Sequence, residues 1–339
     1  MLKLRRGVVV SEDPLTVEVS GERRRAWADS SLVGEVRAGD EVVVNTVALD
    51  LGLGSGGFDV VHVNLSRGLG GAGAPGAHVI KLNYTSLQHP VEPVERPEGA
   101  ADAAQGSEVP VLVIPLHGHL APAAWAATDA APGLRVGYVQ TAGGGLPGAL
   151  SRDVAQLRKR ELLCGHVTAA PSYGGELEAV SVAGALDAAA HRLGWDAAIA
   201  GPGPGILGSN TRYGHGGIAA LDSAHAALAL GMPTLVSPRL SGADPRPRHR
   251  PVSHHTRTVL ELLLAGVEVP LPEGEPGVEE AVGPLLGELH RSISFPAETD
   301  RYADSGLPAR TMGRDIADDP LFFAAALASG RALAARAKV

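Results

Sequence analysis

Residues 109–145 read VPVLVIPLHGHLAPAAWAATDAAPGLRVGYVQTAGGG. An uninterrupted apolar run (111–115) leads into Leu116-His117-Gly118-His119 and then a stretch of helical composition over 120–131. A plain turn follows, then a second apolar run (135–140) that ends in Gly143-Gly144-Gly145. This is the pattern of a strand, a crossover helix and a second, parallel strand. The same alternation continues downstream, with apolar runs at 166–169, 197–200, 233–236 and 267–270 and helical stretches at 149–162, 176–193, 215–230 and 254–265. Six β segments separated by helices predict a doubly wound, mostly parallel α/β sheet. The lack of polar alternation within the runs fits strands covered on both faces. From about residue 276 the pattern predicts one more helix, an irregular stretch and an Ala-rich helix over 320–336. The small residues of that last helix suit close packing, on its own domain or, alternatively, at a subunit interface of a homo-oligomer.

Upstream the pattern differs. Val8-Val9-Val10 and Leu15-Thr16-Val17-Glu18-Val19 flank the turn residues Ser11-Glu12-Asp13-Pro14, which predicts a hairpin. Further short strands are expected at 41–49, 59–65 and 77–84, and their spacing suits a small β-barrel-like module over 1–90. The glycine-rich connection at 51–57 (LGLGSGG) reads as a turn. Residues 91–108, rich in Pro, Glu, Ala and Gly, read as a linker to an α/β domain at 109–339.

Aromatic residues make up only 4% of the 339, so Val, Leu, Ile and Ala must build the core. The only cysteine is Cys164, which rules out a disulfide framework and a Cys-rich zinc site. There is no apolar run of about 18 residues to span a membrane and no signal-peptide pattern at the start, so a cytoplasmic location is expected. A net charge of −8 disfavours nucleic acid as a partner, although Arg5, Arg6, Arg23, Arg24 and Arg25 make the start locally basic.

In open α/β sheets ligands bind beyond the carboxyl ends of the strands. Every connection there is glycine-rich or polar, whereas those at the opposite ends (130–134, 193–196) are chemically plain. After the fourth strand come Gly201, Gly203, Gly205 and Gly208, then Ser209 and Thr211. The letters G-x-G-x-x-G match a dinucleotide fingerprint, but Pro202 and Pro204 remove amide donors and no acidic residue closes the next strand. A cradle for a small anion, made by glycine amides and the two hydroxyls, fits better; a tight structural turn is the plainer alternative. After the fifth strand, residues 239–257 hold five arginines and three histidines against one acid, Asp244. Such clustering is unfavourable unless an anion is present. Arg246 and Arg248, two apart, share a side of an extended loop and suit phosphate or carboxylate; a solvated basic loop is the alternative. His249, His254 and His255 are acid/base candidates, because an unperturbed imidazole titrates near neutrality. Glu176 and Glu178, behind Gly174-Gly175, would open a helix, where the helix dipole alone explains them. Otherwise they serve as a general base or ligand acceptor. A metal set of His117, His119 and Asp244 is a further alternative, opposed by the surrounding arginines.

The stretches GSGG (54–57), TAGGGLPGALSRDV (141–154), YGGELEAV (173–180), GPGPGILGSNTRYGHGG (201–217) and SGADPRPRHRPVSHHT (241–256) resemble a family of uncharacterised bacterial proteins known only as a domain of unknown function. The resemblance spans nearly the whole chain and implies the two-part layout, but no activity and no cofactor. The residues favour an enzyme or ligand-dependent protein that binds a small anionic metabolite. A non-catalytic module touching RNA or protein through its barrel and a metal-dependent hydrolase are the alternatives.

Overall fold

The computed structural model describes residues 1–53, 56–71, 73–95 and 107–338, which form two compact units, Met1–Glu92 and Pro93–Val339. Most of the stretch read as a linker, and Gly54-Ser55 of the LGLGSGG and GSGG motifs, lie outside the described residues.

The first unit is a closed five-stranded barrel. Its strands are β1 (Leu4–Glu12), β2 (Leu15–Val19), β3 (Glu22–Trp27), β4 (Glu41–Asn45) and β5 (Asp59–Asn64), closed in the order β1-β2-β3-β5-β4. Single-turn helices α1 (Ser30–Val33) and α2 (Val47–Asp50) and a hairpin of β6 (Val79–Lys81) and β7 (His89–Val91) complete it. Period-two alternation points Val9, Val17, Val19, Val42, Val44 and Val61 into a small core. The charged segment ERRRAW forms β3, a strand that propensity alone does not reveal, because Arg24 is held by Asp59 (Nε–Oδ2 2.6 Å) and Asp50 (Nη2–Oδ1 2.7 Å). With Arg6 also paired to Glu41 on the exposed surface, part of the local basic character is spent on acids of the same unit.

The second unit is an eight-stranded, all-parallel sheet: β8 (Val111–Val113), β9 (Val136–Thr141), β10 (Gly165–Ala169), β11 (Leu177–Ala179), β12 (Ala197–Pro202), β13 (Thr234–Val236), β14 (Glu268–Pro272) and β15 (Arg291–Phe295). Their spatial order is β11-β10-β9-β12-β8-β13-β14-β15. Helices α3 (Leu120–Ala130), α4 (Arg152–Lys159), α9 (Thr299–Ala303) and α10 (Pro320–Arg336) cover one face. On the other lie α5 (Val182–His191), α6 (Ala219–Ala229), α7 (His254–Leu262) and α8 (Val278–Leu286). Successive strand residues serve opposite cores: Val111 and Val113 pack with α5–α8, Leu112 and Ile114 with α3 and α10. That explains the uninterrupted apolar runs.

Two strands of this sheet were not expected. β15 alternates exposed and half-buried residues at the sheet edge, so it lacks the apolar signature of a central strand. β11 is three residues long and lies within the expected helix 176–193, which in fact begins at Val182 behind its Ser181 cap. Residues 93–95 join this unit at the same edge: Val94 N donates to Glu178 O (2.7 Å), and Glu95 accepts from Val180 N (2.6 Å). The Ala-rich helix packs back on its own domain. No helix among the described residues is long and apolar enough to cross a membrane.

Candidate functional site

The central strands β12, β8 and β13 are neighbours, but their connections leave in opposite senses: β8 feeds α3 on one face, β12 and β13 feed α6 and α7 on the other. The loops therefore part above the carboxyl ends, where a crevice forms. A cavity of about 580 Å³ lies there. It is lined by Leu116–Gly118, by parts of the 204–215 and 239–255 loops and by Arg310, Thr311 and Met312, where the hairpin of β16 (Arg310–Thr311) turns into β17 (Arg314–Asp315). Four arginines (Arg239, Arg246, Arg248, Arg310) and five histidines line it, with no carboxylate among them.

Asp244 sits behind that wall, fully buried. It accepts from Arg246 Nε (2.9 Å), Nη2 (2.9 Å) and backbone N (3.0 Å) and from Arg239 Nη2 (3.2 Å), with Arg314 Nη2 at 3.6 Å. Burial by itself would raise its carboxyl pKa, but the hydrogen bonds and charge of Arg246 outweigh it and hold the group well below the usual range. Burial also pulls the Arg239 guanidinium down to about 10, partly offset by Asp244, so it stays charged at neutral pH. Asp244 is thus a shared counterion for arginines, not a ligand-binding or metal-binding group. The expected extended arginine loop is instead a 3-10 turn at Pro247–His249. Its turn geometry leaves Arg246 and Arg248 on the cavity wall but not Arg250. Arg248 donates to Asn210 Oδ1 (2.7 Å), and Met312 Sδ meets Arg239 and Arg246 at 3.3 and 3.2 Å.

His117 comes from the turn after β8 and the other four histidines from two loops. Ser253 caps α7, accepts from His255 N (3.2 Å) and meets His249 Nδ1 (2.7 Å), which fixes three imidazoles around one helix start. His215, from the β12 loop, stacks on His255 with centroids 4.0 Å apart and planes 10° apart, and lies 5.1 Å from His254. Its approach needs a close passage of Gly216 against Gly143, where a Cβ on Gly216 would lie 1.7 Å from the Gly143 carbonyl oxygen. Burial, and then the positive charge of Arg239, pulls His249 to about 3 and His255 to about 2; burial and then His215 pulls His254 to about 4. Burial lowers His215 too. All four are neutral imidazoles at pH 7. The near-neutral titration expected of His249, His254 and His255 is lost, because desolvation beside fixed guanidinium charge penalises the imidazolium.

The other candidates divide. Gly205, Gly208 and Thr211 line the cavity. Gly201 and Gly203 do not: a Cβ there would strike Ile114 and the Gly145 carbonyl, so they are packing glycines. The Ser209 hydroxyl is spent on Thr211 (2.9 Å) and Gly214 O (3.0 Å) within its own loop. Gly174, Gly175, Glu176 and Glu178 lie beyond β9, around β10 and β11, outside the cavity lining. Glu178 accepts from Gly174 N (2.6 Å) and Thr168 Oγ1 (2.7 Å), Gly175 N donates to Thr168 Oγ1 (3.1 Å), and Glu176 accepts from Arg158 (2.6 Å). They shape an edge strand rather than a helix start. His117 and His119 turn to different partners: His117 Nε2 to Ser151 Oγ (2.7 Å) and His119 Nδ1 to Ser237 Oγ (2.9 Å). With Asp244 neutralised by arginines, the expected set of His117, His119 and Asp244 does not assemble. Among the described residues, the group close enough to share a metal is His215, His254 and His255. Sequence reasoning missed His215, hidden among loop glycines in TRYGHGG, and Arg310, which has no spacing relation to the arginine loop.

A family model described as "Protein of unknown function (DUF3866)" matches residues 25–330. No curated protein and no solved structure matches the chain.

Proposed function

The chain belongs to this family of unknown function, and we propose that its α/β unit binds a small metabolite bearing phosphate or carboxylate in the strand-end cavity. The observation that carries the reading is the wall itself: four arginines and five histidines, with no lining carboxylate and one buried counterion behind them. Guanidinium groups present paired N–H donors to planar or tetrahedral oxyanions, and a partly enclosed site keeps such contacts strong. Arg248 and Arg310 are the most available cations, since each donates to a neutral oxygen (Asn210 Oδ1 and Gly313 O) rather than to a carboxylate. A neutral histidine cluster contributes donors and acceptors to an anion. It does not supply a poised proton, so binding is better supported than acid/base turnover.

Calorimetry on chelator-treated protein at low ionic strength, with inorganic phosphate, pyrophosphate and a tricarboxylate as probes, tests the reading. At least one probe binds, more weakly as salt rises. Arg248→Ala weakens it by about 1.5–3 kcal/mol, the range for a hydrogen bond to a charged group. No heat from any of the three probes, or equal affinity for the Arg248→Ala protein, sinks the proposal.

A further inference from the structure

One side of the cavity concentrates imidazoles to a degree that anion binding alone does not require. His215, His254 and His255 each bring a ring nitrogen to within 4.8 Å of the others. The geometry points to a divalent transition-metal site of the zinc class held by these three histidines, with its remaining coordination position open to the arginine-lined cavity.

A second observation supports the site independently. His215 is 6% exposed, yet neither of its ring nitrogens makes a hydrogen bond of ordinary geometry, and buried His254 Nδ1 is in the same condition. Buried polar atoms left unpaired cost about 1–3 kcal/mol each, so three in one cluster are expensive unless something else satisfies them. An ion bound by lone pairs would satisfy one nitrogen of each ring, at most two of the three atoms. The rings are also held in place: His254 and His255 open α7 behind the Ser253 cap, and His215 stacks on His255 beside Gly217, where a Cβ would press on both rings' Nδ1 atoms at 3.0 and 3.2 Å. Their neutral form is the one that metals bind. His249 stands apart, with Nδ1 on Ser253 and Nε2 facing Arg248 at 3.4 Å. Three imidazoles with an open position form the donor set of catalytic rather than structural zinc sites.

The arginines set the terms on which the ion binds. Arg239 Nη1 lies 3.3 Å from His255 Nδ1. A neutral imidazole has one lone pair. Ligation through Nδ1 uses it, and ligation through Nε2 leaves the proton on Nδ1, so either mode ends the arginine contact. The ion thereby releases one edge of a cavity-lining guanidinium. A divalent cation next to guanidinium groups is repelled unless an anion lies between them. Metal and anion therefore bind cooperatively. That coupling rests on the anion-pocket reading; the three-histidine site does not.

The test uses untagged full-length protein, stripped with chelator and dialysed, then titrated with Co²⁺ with and without 1 mM inorganic phosphate and followed by visible absorption. One equivalent binds, with a d–d band, and several-fold more tightly with phosphate. His215→Ala and His254→Ala each lower affinity at least about tenfold, since loss of an outer-sphere partner alone costs that much. His191→Gln, at the end of α5, leaves affinity unchanged. X-ray absorption at the cobalt edge of the wild-type protein needs no variant and shows three imidazoles. No stoichiometric Co²⁺ binding in either buffer, or a cobalt shell with fewer than two imidazoles, overturns the site. If phosphate binds the chelator-treated protein while Co²⁺ does not, the metal site fails and the anion pocket stands. If Co²⁺ binds and phosphate has no effect with or without it, the histidine site stands, and the coupling fails with the anion pocket.

Discussion

At the scale of single residues, Asp244 holds the arginines of the cavity wall from behind it. Its carboxylate is fully buried and sits against Arg239, whose side chain is 4% exposed, and against Arg246 and Arg314. Removing one partner of a buried ion pair costs about 3–5 kcal/mol, because the other charge is left uncompensated. Asp244→Asn keeps the shape and removes the charge, so it should lower the urea midpoint markedly, and phosphate should restore part of the loss by neutralising the same arginines. An effect under about 1 kcal/mol would contradict the counterion role, since that is the range of an exposed pair. His254, His255, Arg246 and Arg248, which line the cavity, were legible as candidates because they crowd one short segment against electrostatic repulsion. Asp244 was read as a ligand-binding residue and, in the alternative, as a metal ligand: whether a carboxylate faces a ligand or a guanidinium depends on side-chain direction, which spacing does not encode.

Among the elements, α10 and α3 show what small residues achieve. Both helices are Ala-rich, and a Cβ on Gly330 would lie 2.1 Å from the Ala123 carbonyl oxygen. In an exposed helix, replacing glycine with alanine stabilises by about 1 kcal/mol. Here the clash is with backbone and cannot be relieved by a rotamer change. Gly330→Ala should therefore destabilise by about 1–3 kcal/mol, the usual cost of overpacking, read as a lower melting temperature. A rise instead would show that the helices are not in such close contact. Element type was legible wherever the apolar period was long. It failed at β11, where Leu177–Ala179 follow Glu176 in a sequence that also suits a first helical turn, and at β15, whose edge position leaves no continuous apolar run. It failed again at 247–249, where proline restricts the backbone and a 3-10 turn replaces the extended loop.

For the whole molecule, buried neutral histidines tie stability to pH. His119, in the 3-10 turn between β8 and α3, and His166, on β10, have pKa values pulled down to about 3 and about 4, chiefly by burial. In the unfolded chain they titrate near 6.5. Between these values the unfolded state binds more protons than the native state, so stability rises with pH across that window and is complete above it. Each such group can contribute a slope of up to about 1.4 kcal/mol per pH unit below pH 6.5. Urea midpoints of the α/β unit should be level above pH 7 and fall steadily towards pH 4, and a flat profile between pH 6.5 and 4.5 would contradict the buried neutral state. The sequence by itself determined the small barrel, the doubly wound sheet and the end of the sheet at which polar loops gather, since strand and helix periods and turn residues are local properties. The tertiary structure decided the rest. Strand order brings the loops after β8, β12 and β13 together and leaves those around β10 and β11 outside, so the glutamates drop out of the site while His215 and Arg310 enter it. Burial then determines which groups are charged. Both effects arise from contacts between residues far apart in the chain, and a local pattern carries no record of those contacts.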